Sequence, residues 1–183
     1  MLRLPVGFGV GALLVATVAS AQRPPDLQGQ WTLRPDGADS VTVTDSAGPP
    51  LEPPLRPLVR PGTSAKARER IGRLVGMAQA VPSFQIEQAD STITFVNADG
   101  FTYTVRPDGP PTHVVAGTDS IETRARWKRR QLEIEFRPPG GGKLIERYLL
   151  ADSGLFLRLE VVIEDGALAQ RLWRPRMYRR VTD

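Results

Sequence analysis

The chain has 183 residues, with 24 lysines and arginines, 20 aspartates and glutamates, and no cysteine. The lack of cysteine excludes disulfides, thiolate metal sites, cysteine catalysis and lipid attachment to a cysteine. The formal net charge of +4 is spread over both signs, whereas a nucleic-acid-binding surface concentrates basic residues in a stripe or patch. We therefore expect no nucleic-acid partner.

The first 21 residues predict a cleavable signal peptide. Arg3 supplies a positive start, residues 6–18 form an apolar run, and residues 19–21 are an Ala-Ser-Ala cleavage site. An uncleaved anchor is the alternative, but Pro5 and three glycines interrupt a run that would need about 20 apolar residues. We expect cleavage after Ala21, a periplasmic or secreted mature protein, and no transmembrane segment in it.

Residues 22–183 are predicted to form one domain, which begins with a strand at residues 28–34. A short strand is possible at residues 41–44. Residues 48–82 form an insert, whose first part is rich in proline and therefore predicts a loop. Its second part predicts a helix from about Ser64 to Ala80, because apolar residues recur there at helical spacing.

From residue 84 onward, runs of alternating side chains are separated by Asp-Ser, Asp-Gly or Gly-Gly pairs, which is typical of an antiparallel meander. The predicted strands cover residues 84–89, 92–97, 101–106, 121–128, 131–137, 143–150, 155–164 and 168–181.

The clearest alternation lies in residues 121–137. With Arg129 and Arg130 at a hairpin tip, apolar or small side chains face each other on one side and opposite charges on the other. The first set of pairs is Trp127–Leu132, Ala125–Ile134 and Thr123–Phe136, and the second is Arg126–Glu133, Arg124–Glu135 and Glu122–Arg137. Arg-Arg is an unusual tight-turn dipeptide, so a longer loop is the alternative.

About eight or nine consecutive antiparallel strands predict an all-β fold with one short helix. An up-and-down β-barrel is favoured because closure buries one face of the sheet and removes its edges. A two-layer sandwich or a strongly curved open sheet would give the same alternation. The helix has no large aromatic residue on its apolar face, so we expect it to cover the barrel mouth rather than lie on a membrane surface.

Residues 26–33, Asp-Leu-Gln-Gly-Gln-Trp-Thr-Leu, contain a Gly-x-Trp sequence that opens the first strand. Together with Asp99-Gly100, the Ala-Arg-Trp of residues 125–127 and the Leu-Glu-Ile-Glu of residues 132–135, this order of features resembles lipocalins, and in particular uncharacterised lipocalin-like exported bacterial proteins. The resemblance implies a lipocalin-like barrel and an exported location, and no established activity. It differs from true lipocalins in the early position of the helix.

The resemblance also implies that Trp31 packs against an arginine of the last strand, for which Arg176 and Arg179 are the candidates.

Two functions remain open. The first is binding of a small apolar ligand inside the barrel, lined by Trp31, Phe95, Tyr103, Trp127 and Phe136. The alternative is a non-enzymatic envelope interaction or structural domain that meets an anionic envelope component through Arg174, Arg176 and Arg179. Interior volume distinguishes them, because a cavity supports the first and a closely packed interior the second.

An enzyme is the third and least supported reading, and no residue is assigned a catalytic role. His113 is the single histidine, which excludes a multi-histidine metal site, and it is expected on a connecting loop. Glu133 and Glu135 are expected to form surface ion pairs. We predict no cofactor and no metal.

Overall fold

The structure is a computed structural model that describes residues 24–34, 59–151 and 154–182. The signal peptide, the possible strand at residues 41–44 and most of the proline-rich loop lie outside the described residues. The elements are β1 (Gly29–Leu33), α1 (Ala65–Met77), β2 (Ser83–Gln88), β3 (Ile93–Asn97), β4 (Thr102–Val105), β5 (Thr112–Ala116), β6 (Asp119–Lys128), β7 (Gln131–Arg137), β8 (Lys143–Ala151), β9 (Phe156–Glu164) and β10 (Leu172–Arg180).

The ten strands form one antiparallel sheet in the order β4-β3-β2-β1-β10-β9-β8-β7-β6-β5. Because β1 pairs with β10, the meander curls round until its edge strands β4 and β5 approach each other. Just after β4, a bridge joins Pro107 to Ala125, and the Asp108 amide donates to the Ala125 carbonyl at 2.9 Å. The predicted up-and-down barrel is confirmed, and it is nearly closed.

The described residues contain one strand more than the upper end of the predicted range. The additional strand, β5, falls where the sequence predicted a connecting loop around His113. Only Val114 is fully buried in this five-residue edge strand, and Pro110 and Pro111 precede it directly. One buried side chain after two prolines is too weak a pattern to indicate a strand.

The β6–β7 hairpin has the predicted register at all six predicted pairs. Arg129 adopts φ +59° at the two-residue tip, so an arginine takes a conformation that favours glycine. The ion pairs match the prediction only in part. Arg126 bonds to Glu133 across the hairpin, whereas Arg124 and Arg137 bond to glutamates of their own strands.

Helix α1 lies across one end of the barrel. The Ser64 hydroxyl accepts from the Ala67 amide at 3.3 Å, and Arg70 makes two hydrogen bonds of 2.7 and 2.9 Å to Asp165 in the β9–β10 turn. Gly142 has φ +73°, and a Cβ there would lie 2.7 Å from Leu74 Cδ1. Glycine is therefore required for the β7–β8 loop to approach the helix this closely.

The opposite end of the barrel is filled by side chains. Six apolar residues that are at most 1% exposed pack there, namely Leu27, Trp31, Ile86, Ile93, Leu132 and Leu157. The Trp31 indole donates to the Leu27 carbonyl at 3.0 Å. Among the described helices, none is long and apolar enough to span a membrane.

Candidate ligand-binding site

A cavity of about 690 Å³, partly open to solvent, lies in the half of the barrel beneath α1. Aromatic rings form much of its wall, and they come from strands on every side of the barrel: Phe84, Phe95, Tyr103, Phe136, Tyr148 and Tyr178. The rings contact one another, with Phe95 stacked on Tyr103 at 4.9 Å between centroids and Phe84 against Tyr178 at 4.7 Å. Mutual packing of this kind holds the wall in a defined shape.

The cavity opens at one side of α1. Its rim consists of residues 79–82 after the helix, the β3–β4 turn and the β5–β6 turn. Ala98, Asp99 and Gly117 on these turns are exposed to solvent as well as lining the cavity. A ligand would therefore enter between the end of the helix and two short turns.

One polar cluster lies within the aromatic wall. Glu146 accepts a hydrogen bond from the Tyr148 hydroxyl at 2.7 Å on Oε2, and the Tyr103 hydroxyl lies 3.4 Å from the same oxygen. Burial raises the pKa of both tyrosines well above the usual range, and the negative charge of Glu146 raises it further. Both hydroxyls therefore stay protonated at neutral pH and remain hydrogen-bond donors.

Glu146 is the acidic member of this cluster. Burial raises the pKa of its carboxyl group, while the Tyr148 hydrogen bond and the positive charge of Arg176 act in the opposite direction. Both hydroxyls lie against Oε2, and within the described part of the chain no side chain or amide bonds to Oε1. The cavity thus contains an acceptor oxygen that is not used by the protein.

Arg176 connects the cavity to the helix above it. Its two terminal nitrogens donate to the carbonyls of Ala78 and Gln79 at the end of α1, the second at 3.3 Å. Tyr178 donates to the Val81 carbonyl at 3.1 Å. Burial raises the pKa of Tyr178 to about 12. These bonds fix the segment that forms one side of the cavity opening.

Three of the five residues predicted to line the interior are brought together in the cavity: Phe95, Tyr103 and Phe136. The other two do not reach it. Trp31 is buried in the filled half, and Trp127 packs against the core at the far end of β6. Strand alternation predicts which side chains face inward but not how far along the barrel axis each one lies.

The predicted arginines do not form one site. Arg174 and Arg176 lie on one face of β10 and Arg179 on the other, and among these three only Arg176 lines the cavity. Trp31 does pack against an arginine of the last strand. The partner is Arg180, whose guanidinium lies 4.7 Å from the indole centroid, and not Arg176 or Arg179.

Sequence reasoning did not identify Glu146 and Tyr148, although β8 contains a signal for them. Glu146 stands between Leu144 and Tyr148 on the strand face that points inward, where apolar residues are expected. A carboxylate on the apolar face of a strand marks either a buried polar network or a binding group.

His113 and Glu133, which the sequence offered as candidates for catalysis, do not line the cavity. His113 is exposed on β5, with its Nδ1 3.4 Å from the Ser120 hydroxyl. Glu133 lies on the outer face of the barrel among three cationic side chains. In the ranges that the structure describes, no cluster of three or more His, Cys, Asp or Glu side chains could hold a metal ion.

Solved structures with a similar fold are barrels of the fatty-acid-binding, lipocalin-like class. The REP1-NXSQ fatty acid transporter is 14% identical, with a TM-score of 0.51 over 85% of this chain and 96% of that chain. Fatty-acid-binding protein 1 of Echinococcus granulosus is 11% identical, with a TM-score of 0.51 over 85% and 97% of the two chains. A secretary abundant heat soluble (SAHS) protein of Ramazzottius varieornatus is 10% identical, with a TM-score of 0.50 over 84% and 94%.

At these identities the likeness shows the fold alone, and the fold is lipocalin-like. No protein-family model matches the chain, and no curated protein matches its sequence.

Proposed function

We propose that this protein is exported and binds a small, largely apolar ligand inside its barrel. The observation that carries the proposal is the cavity, because about 690 Å³ lies within the range of roughly 300–1,000 Å³ typical of small-molecule sites. Its aromatic walls, its few polar groups and its opening at the rim are the other features of such a site. A barrel packed by its own side chains would instead have favoured an interaction domain.

The structural neighbours support the same proposal by analogy. Two of them are named for fatty acids, as a transporter and as a binding protein. Because one fold serves many functions, this analogy adds weight to the cavity and does not replace it.

The cavity can be blocked at Val114, which is 5% exposed and lines it on β5. Val114→Phe places a ring in the ligand volume, and we expect the affinity for the neutral apolar dye Nile red to fall at least about tenfold, the effect of roughly 1.4 kcal/mol of lost binding energy. The measurement is a fluorescence titration of the purified protein, with circular dichroism to verify folding.

Val115 provides the matched control. It is the next residue on the same strand and is 67% exposed, so Val115→Phe adds the same ring outside the barrel. The affinity of the Val115→Phe variant for Nile red should equal that of the unmodified protein. Equal losses in both variants, or none in a folded Val114→Phe protein, would contradict binding in the cavity.

Export has its own test. The proposal predicts that the intact mass of protein recovered from its native cells corresponds to a chain that starts at Gln22, because the signal peptide would be cleaved after Ala21. Native mass spectrometry of the same material would also reveal a copurified ligand as added mass. A chain that retains residues 1–21 and stays in the cytoplasm would overturn this part of the proposal.

A further inference from the structure

We infer that the ligand of this cavity carries a head group that donates a hydrogen bond to Glu146 and has no negative charge, such as a hydroxyl on an apolar body. The inference rests on the proposed function, since it assigns the chemistry of the ligand that the cavity would bind.

The geometry at Glu146 provides one unused acceptor. Tyr148 and Tyr103 both lie against Oε2, at 2.7 and 3.4 Å, which leaves Oε1 without a donor from the described residues. A ligand that covers Glu146 removes this oxygen from water, and leaving the oxygen unpaired then costs free energy, so a ligand with a donor at this point binds better than one without. A ligand hydroxyl can supply the hydrogen bond that this oxygen would otherwise make with solvent.

The charges in the cavity disfavour an anionic head group. Among the described residues that line the cavity, Asp99 and Glu146 are acidic and Arg176 is the one base. Arg176 already directs both terminal nitrogens to carbonyls of the helix end. When Glu146 is ionised, a ligand carboxylate therefore meets a like charge in an apolar environment without a cation dedicated to it, and repulsion there is weakly screened.

The head group is tested with three probes that share a ten-carbon chain. 1-Decanol donates a hydrogen bond, 1-methoxydecane accepts but does not donate one, and decanoate at pH 8 is anionic. We expect calorimetric titration of the unmodified protein to show 1-decanol binding about tenfold more tightly than either of the others, as one hydrogen bond to a charged group predicts.

Glu146→Gln then tests the residue itself. The amide keeps the size of the side chain, removes its negative charge and can donate to a carboxylate, so decanoate affinity should rise about tenfold while the advantage of 1-decanol over decanoate disappears. Glu160→Gln is the matched control, because Glu160 pairs with Arg158 on the outward face of β9. It should leave all three affinities unchanged.

The outcomes separate this inference from the proposed function. If none of the probes binds, the proposed function fails. If all three bind with equal affinity, or decanoate binds most tightly, the ligand-binding function stands and the inference is overturned. The titration of the unmodified protein with the three probes tests the inference about the head group even if Glu146→Gln does not fold.

Discussion

The side chain of Glu133, on the outer face of the barrel, forms ion pairs with three cationic side chains. Burial opposes its ionisation, but hydrogen bonds from Lys128, Arg126 and Arg147 lower the pKa of the carboxyl to about 2, from an ordinary value of 4.5. All three donors bond to a side chain that is itself only 3% exposed. The Glu133 carboxylate on β7 therefore links this strand to β6, through Arg126 and Lys128, and to β8, through Arg147.

A lowered pKa in the folded state means that the ionised form stabilises the fold. This stability is fully present above the unfolded pKa near 4.5 and is lost as the pH falls through about 2. We expect Glu133→Gln to lower the free energy of unfolding by about 2 kcal/mol at pH 7, a value discounted because the cations are partly exposed.

Urea denaturation between pH 2 and pH 7 measures the effect. The difference between Glu133→Gln and the unmodified protein should shrink as the pH approaches 2. Exposed Glu87 on β2 serves as the control, and Glu87→Gln should show no such trend. If Glu133→Gln lowered the free energy of unfolding by the same amount across this pH range, ionised Glu133 would not be the source of the stability.

At the scale of elements, the sequence predicts strand pairing best where the side chains of two neighbouring strands match each other on both faces of the sheet. The β6–β7 register follows from the sequence because a shift of one residue would move every charge to the inside. By contrast, β5 has one buried side chain, and its pairing depends on the neighbouring strand rather than on its own pattern. The helix was predicted to extend to Ala80, but it ends at Met77, where Ala78 forms its C-cap and Arg176 bonds to the carbonyls that follow.

The candidate site was predictable only in part for a related reason. Period-two alternation identifies inward side chains, and three of those it selects, Phe95, Tyr103 and Phe136, line the cavity. Whether an inward side chain meets a cavity or a partner depends on residues far apart in the sequence. The indole of Trp31 packs against the guanidinium of Arg180 at the other end of the chain, and no local pattern contains that contact.

The whole barrel is divided into a filled half and a hollow half. Leu132 on β7 packs in the filled half at 0% exposure, and Leu144 on β8 lines the cavity at 1% exposure. Both are buried leucines on neighbouring strands, but only Leu144 borders the cavity. The two positions therefore separate the cost of creating a cavity from the cost of enlarging one.

We expect Leu132→Ala to lower the free energy of unfolding by about 3–5 kcal/mol, because it opens a new cavity in a packed region, and Leu144→Ala to lower it by about 2 kcal/mol, because mainly the transfer energy of the side chain is lost. Chemical denaturation of both variants measures the difference. Since the substitution is the same and the exposure nearly so, the gap between the two values reports the packing around each leucine. Equal costs would mean that the space beside Leu144 is as closely packed as the filled half, which would remove the basis for ligand binding in the barrel.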